Sequence, residues 1–350
     1  GYDVTVVDNL TEQVHDSEPD YLNDKAEYVW GDIRNRELMT ELLRDADVLS
    51  HQASAVGVGK SMYEIERYVE VNTLATARML DIIVTDKINL EKIVVASSMS
   101  IYGEGTYRCP EQNEIRHPSL REEAQMESEE WEHTCSECGA ELKPIPTPES
   151  KPSESTSVYA ISKKDQEELT LSVCRAYDIP AVALRYFNIF GSRQSLDNPY
   201  TGVCAIFSSR IKNDNPPLIF EDGEQTRDFI HVSDVARANR LAMESDASDV
   251  AINIGTGSPV TINNIAETLI ELYNKEDELE PEIANDFRQG DIRHCYADPE
   301  AAVNDIGFEA EVDFEEGMRE LVEWGRKQDA EDHFEDAHEE LENQGLVGNN

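Results

Sequence analysis

A chain of 350 residues is long enough to bury a sizeable core, as one large domain or two moderate ones. It carries 73 acidic against 30 basic residues, a formal charge of -43, and only 11 of the basic residues are Lys. Spread through the whole chain, that charge excludes nucleic acid and anionic membrane surfaces as partners, and it matches a halophilic cytoplasmic protein whose self-repulsion is screened by concentrated salt. No run approaches the roughly 20 apolar residues of a membrane span, and no secretory signal is present. Six Cys are too few and too scattered for a disulfide scaffold. Cys174, Cys204 and Cys295, among apolar or helical neighbours, read as buried thiols.

The sequence opens inside an element. Gly1-Tyr2-Asp3-Val4-Thr5-Val6-Val7-Asp8 predicts a parallel strand ending in an acid. A dinucleotide fold places a strand, a Gly-x-x-Gly-x-x-Gly turn and a helix ahead of such a strand; none is here, so the sequence reads as lacking about 25 to 30 N-terminal residues of its fold. Strands are then predicted at 26–30, 47–51 and 92–96, with helices at 35–44 and about 63–85 between them. A second long helix runs from Ser157 to about Tyr177, followed by a strand at 181–186. Apolar strands alternating with amphipathic helices indicate an α/β fold with a mostly parallel sheet. The expected division is a Rossmann-type doubly wound domain over 1–196 and a smaller mixed α/β substrate-binding domain over 197–327. Of the latter, 228–257 partly return to the first sheet. Residues 328–350, acid-rich and weakly patterned, read as a solvated tail.

The run Ser157-Val158-Tyr159-Ala160-Ile161-Ser162-Lys163 places a phenol and an ammonium four residues apart, on one helix face. A nearby cation favours the phenolate and lowers the tyrosine pKa, which makes Tyr159 a candidate acid/base. It follows an earlier Ala96-Ser97-Ser98-Met99-Ser100-Ile101-Tyr102-Gly103. Further segments, in order, are Val6-Val7-Asp8-Asn9-Leu10, Gly31-Asp32-Ile33-Arg34, His51-Gln52-Ala53-Ser54 and Val71-Asn72-Thr73. After the lysine come Leu184-Arg185-Tyr186-Phe187-Asn188, Arg227-Asp228-Phe229-Ile230-His231, Asn253-Ile254-Gly255 and Arg288-Gln289-Gly290-Asp291. Over nearly its whole length the chain resembles the extended short-chain dehydrogenase/reductase family, in its nucleotide-sugar epimerase branch.

That resemblance implies NAD as cofactor. Asp8 takes the position that holds the adenosine ribose, Asp32 and Ile33 the pair beside the adenine, and Ala53 and Ser54 the loop passing the cofactor. Asn72 matches the helix asparagine behind it, and Lys163 the residue that holds the nicotinamide ribose. Ser98, aligned on Tyr102-Gly103, matches the catalytic hydroxyl. Tyr159 then takes the proton of the sugar 4-hydroxyl while C4 gives up hydride, the 4-ketose turns, and hydride returns to its other face. Asn188, Arg227 and Arg288 match the residues that hold the substrate diphosphate, and Asp291 a contact to the nucleotide ribose. The planar guanidinium fork suits phosphate oxygens. Cys295 falls where the family lines its sugar pocket, a small residue there leaving room for an N-acetyl group.

Dehydratases of the family need an acidic pair after the catalytic hydroxyl, where this chain has Met99-Ser100. The implied activity is 4-epimerisation of a nucleotide sugar, by default UDP-glucose/UDP-galactose. The alternatives are dTDP-L-rhamnose or UDP-N-acetylglucosamine, then a dehydratase or decarboxylase, then a non-catalytic NAD-binding protein. The family usually dimerises through the helices here at 63–85 and 157–177, so a homodimer is expected.

An insertion over 104–156 separates the serine run from the tyrosine helix. In it, Cys135-Ser136-Glu137-Cys138-Gly139 reads as a zinc knuckle. Cys109-Pro110 looks like half of a second knuckle, with Gln112, a poor ligand, at the partner position. His117 or His133 is left to complete a structural zinc site with Cys109, Cys135 and Cys138. The competing readings are a metal-free loop and a redox-labile cysteine pair.

Overall fold

The computed structural model describes residues 1–348 apart from 16, 201, 285 and 289, so Gln289 of the last motif lies outside the described residues. Strands β1 (Thr5–Asp8) and β2 (Glu27–Trp30) pair in parallel. Helix α1 (Arg36–Arg44) follows, with the Asn35 side chain accepting hydrogen bonds from the Glu37 and Leu38 amides at its N-terminus. Strand β3 (Val48–His51) and strand β4 (Lys92–Ser98) flank helices α2 (Ile65–Tyr68) and α3 (Ala75–Thr85). Between those helices Val69–Leu74 widens into a π-helical turn, a feature common at functional sites.

Helix α4 (Val158–Ala176), strand β5 (Ala181–Tyr186) and strand β6 (Val250–Ile254) complete a parallel sheet with strand order β6-β5-β4-β3. Core clusters cover both of its faces. Ile93 packs with Met79, Ile83 and Cys174 on one side, and Val94, Leu184 and Ile252 with Val235 and Ala238 on the other. That two-sided cover is why its strands read as continuous apolar runs. The architecture is a Rossmann-like α/β core with added mixed α/β elements. Strand β4, at the centre and buried throughout, ends on Ser98. In such sheets ligands bind beyond the carboxyl ends of the strands.

A second sheet centres on Thr226–His231, which pairs with Asn188–Phe190, Pro259–Thr261 and His294–Cys295. Behind it Phe190, Phe207, Phe229, Leu269 and Met318 form a separate core. Asp228 ties the substrate side together: its buried carboxylate accepts hydrogen bonds from the amides of Thr256 (2.8 Å), Gly257 (2.9 Å) and Ala297 (3.1 Å), and from the Thr256 hydroxyl (2.7 Å).

The insertion folds into a three-stranded antiparallel sheet built around Thr106–Arg108. Buried ion pairs fix it to the substrate side. Arg293 pairs with Glu132, Glu221 and Asp222. Arg121 grips Glu221 at 2.7 and 2.8 Å and donates to the Asp291 carbonyl at 3.3 Å.

The tail departs from expectation. Instead of a solvated segment, its described part carries an amphipathic helix, α5 (Phe334–Asn343), whose Phe334, Ala337 and Leu341 are buried. Strand β7 (Val347–Gly348) follows and pairs with Phe287–Arg288. The acidic composition hid an apolar face at i, i+3 and i+7, enough to dock a helix. No helix among the described residues is long and apolar enough to cross a membrane.

Candidate active site

The tight turn after β4 requires Gly103: its φ is +66°, and a Cβ there would sit 2.6 Å from the Glu154 carbonyl oxygen. The turn fixes Ser98, whose hydroxyl accepts from the Ser100 amide at 3.1 Å and lies 3.2 Å from the Ser100 hydroxyl. Across from it, the Ser157 side chain caps helix α4 by accepting from the Ala160 amide at 3.1 Å, and the Tyr159 amide donates to the Ser61 hydroxyl at 3.0 Å. These contacts bring the Tyr159 phenol beside the Ser98 hydroxyl. Burial pushes the Tyr159 pKa up, and the Ser98 hydrogen bond opposes that only in part. This corrects the expectation of a tyrosine lowered by its lysine. The same desolvation that holds the phenol neutral also lowers the pKa of Lys163.

Lys163 is 2% exposed, and burial brings its pKa down to about 7, with the charge of Glu167 working against the drop. Glu167 is itself engaged: it pairs with Arg185 and accepts from the Ser97 hydroxyl at 2.6 Å. Lys163 is therefore a buried cation whose nearest anion is shared, a setting that suits an ammonium meant to hold ribose hydroxyls.

Asn72 is fully committed inside the protein. Its Oδ1 accepts from the Ala55 amide at 2.7 Å, and its Nδ2 donates to the Ala55 carbonyl (3.0 Å) and the Ser162 hydroxyl (2.9 Å). It holds the Ala53–Ala55 loop against helix α4. Ala53 and Ser54 remain half-buried beside that loop. Asp8 ends β1, where its carboxylate accepts from the Leu10 amide at 2.8 Å. Asp32 is gripped by Arg34, which lowers its pKa to about 2, and Ile33 packs into the core under β3. The strand-end acid, the pinned loop and the buried ammonium fit NAD, which when bound accepts and returns a hydride.

Beside Ser98 and Tyr159 opens a cavity of about 300 Å³. Its lining runs from Met99, Ser100 and Ser157 to Asn188, Arg227, Arg288 and Asp291. The structure thus gathers four of the expected substrate residues on one cavity. Asn188 Oδ1 and Arg288 Nε are buried without a partner among the described residues. Arg227 donates to the carbonyls of Thr226 (2.9 Å), Arg293 (3.0 Å) and Ile292 (2.6 Å), which aims its fork and leaves two of its five N–H groups free among the described residues. The Arg288 guanidinium stacks over the Phe220 ring, 4.2 Å from its centroid. Phe220, Gln225 and Phe334 complete the lining, and the sequence motifs gave no signal for them.

Cys295 does not line this cavity. It is 1% exposed, packed with Met99, Tyr102, Phe187 and Ala297, and burial pushes its thiol up to about 12. The proposed sugar gate is a core residue.

In the insertion, Cys109, Cys135 and Cys138 place their sulfurs within 4.8 Å of one another. The Cys135 thiol is lowered to about 7, first by hydrogen bonds from the Glu137 and Cys138 backbone. His133 is not with them: its Nε2 lies 3.1 Å from Glu104 and its ring packs edge-on to Tyr107. Gln112 takes that corner instead, its Oε1 3.6 Å from the Cys135 sulfur.

The family model described as "NAD dependent epimerase/dehydratase family" matches residues 1–123 and 133–255, its break falling inside the insertion. The chain belongs to that family. It is 33% identical to the dTDP-L-rhamnose 4-epimerase of Burkholderia thailandensis, over 91% of this chain and 87% of that one. The UDP-N-acetylglucosamine 4-epimerase of Methanobrevibacter ruminantium superposes with a TM-score of 0.72 at 30% identity, covering 93% of this chain and 91% of that one. The NAD complex of the UDP-glucose 4-epimerase of Thermus thermophilus superposes at 0.70 and 25% identity, over 93% and 92%. Fold, site and kinship together define an NAD-dependent isomerase that epimerises nucleotide sugars at C4.

The lowered Lys163 pKa generates a stability test. From about pH 7 up to the ordinary lysine range the unfolded chain binds the extra proton, so stability rises with pH there, and below about 7 the folded state bears the full desolvation cost. Lys163→Met is expected to raise stability at neutral pH by about 0.5–2 kcal/mol in urea unfolding, the gain shrinking as pH rises, while turnover is lost. An unchanged midpoint at pH 7 would mean the ammonium is not desolvated.

Proposed function

We propose that the substrate is a uracil- or thymine-diphosphate hexose, with dTDP-L-rhamnose and UDP-N-acetylglucosamine ahead of UDP-glucose/UDP-galactose. Gln225 carries this reading. It lines the cavity and is 8% exposed, and its Nε2 donates to the Phe220 carbonyl at 3.0 Å, which fixes the amide orientation. Its Oε1 is left buried without a partner among the described residues. Such an acceptor suits the ring N–H that uracil, thymine and guanine carry, where adenine and cytosine offer only an exocyclic amino group. Kinship to a dTDP-L-rhamnose 4-epimerase and a UDP-N-acetylglucosamine 4-epimerase favours the first two bases. At the sugar end, the Met99 thioether beside Ser98 suits a 6-deoxy methyl group. The absence of Cys295 from the lining removes the one residue that was expected to sort N-acetyl sugars.

In this reading Tyr159 exchanges the proton of the 4-hydroxyl, Ser98 hydrogen-bonds the reacting oxygen, and Lys163 holds the nicotinamide ribose. Asn188, Arg227 and Arg288 hold the diphosphate, the unpaired N–H groups of the two arginines and the side-chain amide N–H of Asn188 serving the phosphate oxygens. Met99 offers no acid for dehydration. Ile65, Val69 and Ile161, exposed and apolar on the helices expected to dimerise, support a homodimer.

The test is a panel of UDP-, dTDP-, GDP- and ADP-sugars offered to the enzyme in high salt, with products read by NMR. Inversion at C4 of a UDP- or dTDP-sugar is expected, absent with ADP-sugars and reduced about a hundred-fold or more in Tyr159→Phe. Turnover of GDP-sugars alone, or full activity in Tyr159→Phe, would contradict the reading.

We also propose that Cys109, Cys135 and Cys138 hold one structural zinc, at the usual Zn–S distance of about 2.3 Å, with the fourth corner facing Gln112. Metal analysis of protein purified without chelator should find about one zinc per chain, lost in Cys135→Ser/Cys138→Ser. A metal-free wild type would sink it.

A further inference from the structure

The C-terminal segment holds contacts that the chemistry above leaves unused. Helix α5 is anchored from several sides. Asn215 donates to Asp332 at 2.7 Å, Arg210 donates to Glu335 at 2.9 Å, and the Arg210 guanidinium lies 4.5 Å from the centroid of the Phe334 ring. The Tyr200 hydroxyl donates to Glu340. Beyond the helix, Val347 pairs directly with Arg288. The strand that carries a diphosphate arginine is thus held by the chain's own C-terminal strand.

The helix sorts its residues by face. Glu335 and Asp336, at 70% and 88% exposure, point to solvent, while Phe334 is 5% exposed and lines the substrate cavity. The His338 ring stacks on Phe334, with centroids 5.8 Å apart and planes 11° apart, and sits 5.7 Å from the Phe220 ring. Phe334 and Arg288 also line an adjoining cavity of about 170 Å³, which His338 lines from behind Phe334 without reaching the first. Three rings and a guanidinium therefore meet where Gln225 leaves its acceptor unpaired.

We infer that helix α5 is part of the substrate site, and that Phe334, backed by the stacked His338 ring, walls the end of the cavity that takes the nucleotide base. The inference rests on the function proposed above. Flat faces of this kind suit a heteroaromatic ring, because stacking and cation–π contact need only a π-face. They do not suit a diphosphate, which the acidic helix would repel, nor a sugar, which needs polar partners on its hydroxyls. The helix turns its carboxylates outward and its rings inward, as a base wall in so acidic a chain must.

Binding of free UDP and dTDP, measured by calorimetry in high salt, tests this apart from turnover. In Phe334→Ala and His338→Ala, and in a chain ending after Gln328, the Kd of the nucleoside diphosphate preferred by the wild type is expected to rise about tenfold or more. KM for the nucleotide sugar should rise in step, by more than kcat falls, with NAD content and the far-UV circular dichroism melt retained in the point variants. If the truncated chain does not fold, the two point variants decide alone. Wild-type binding with both variants at the wild-type Kd would overturn the inference and leave the proposed substrate class standing. A wild type that binds neither UDP nor dTDP would overturn both.

Discussion

A buried ammonium is the constraint around which this molecule is arranged. Lys163 is placed where desolvation lowers its pKa, and that position is costly unless the neighbouring groups are fixed. Glu167 supplies the compensating carboxylate but is shared with Arg185 and Ser97, so strand β4, helix α4 and strand β5 meet at one polar knot beneath the site. Arg185 extends the knot by donating to the Tyr102 hydroxyl at 2.7 Å, and Tyr102 donates to Asn253 at 2.7 Å. The last of these lies on β6, which carries the connection to Asp228 through Thr256. Hydrogen bonds from Glu167 through Arg185 and Tyr102 to Asn253, and then the β6 backbone to Thr256, thus link the helix of Tyr159 and Lys163 to the strand that bears Arg227.

The substrate side shows a second division of labour. The insertion is held by buried ion pairs that meet at Glu221, and Glu221 receives both Arg121 and Arg293. Such pairs contribute little net stability but fix geometry, because removing one partner leaves a buried charge uncompensated. Here they set the Asp291 backbone through Arg121, while the C-terminal strand sets Arg288. Two segments outside the core sheet, the insertion and the C-terminal strand, brace the same short stretch, 288–291.

Much of this was legible in the sequence. The strands ending at His51 and Ser98 and the helix of Tyr159 and Lys163 follow from apolar runs and i,i+4 spacing, and they lie where that pattern puts them. Asn188, Arg227, Arg288 and Asp291 share one cavity, as their motifs implied. What failed has physical causes. Cys295 was assigned by register, but the side chain turns into the core behind Met99. His133 was assigned by proximity to the knuckle, but a buried Glu104 took its imidazole. The tail was judged by charge, although three apolar residues on one face suffice to dock a helix whose Glu335 and Asp336 stay in water. Phe220 and Gln225 were missed because their role arises only when distant segments close a cavity.

The central claim is that Tyr159 and its partners invert C4 by removing a hydrogen and returning it to the same carbon. A nucleotide sugar labelled with deuterium at C4, incubated with the enzyme in ordinary water, tests this most directly. NMR of the product should show the epimer with deuterium retained at C4. Deuterium lost to solvent during inversion would contradict the account.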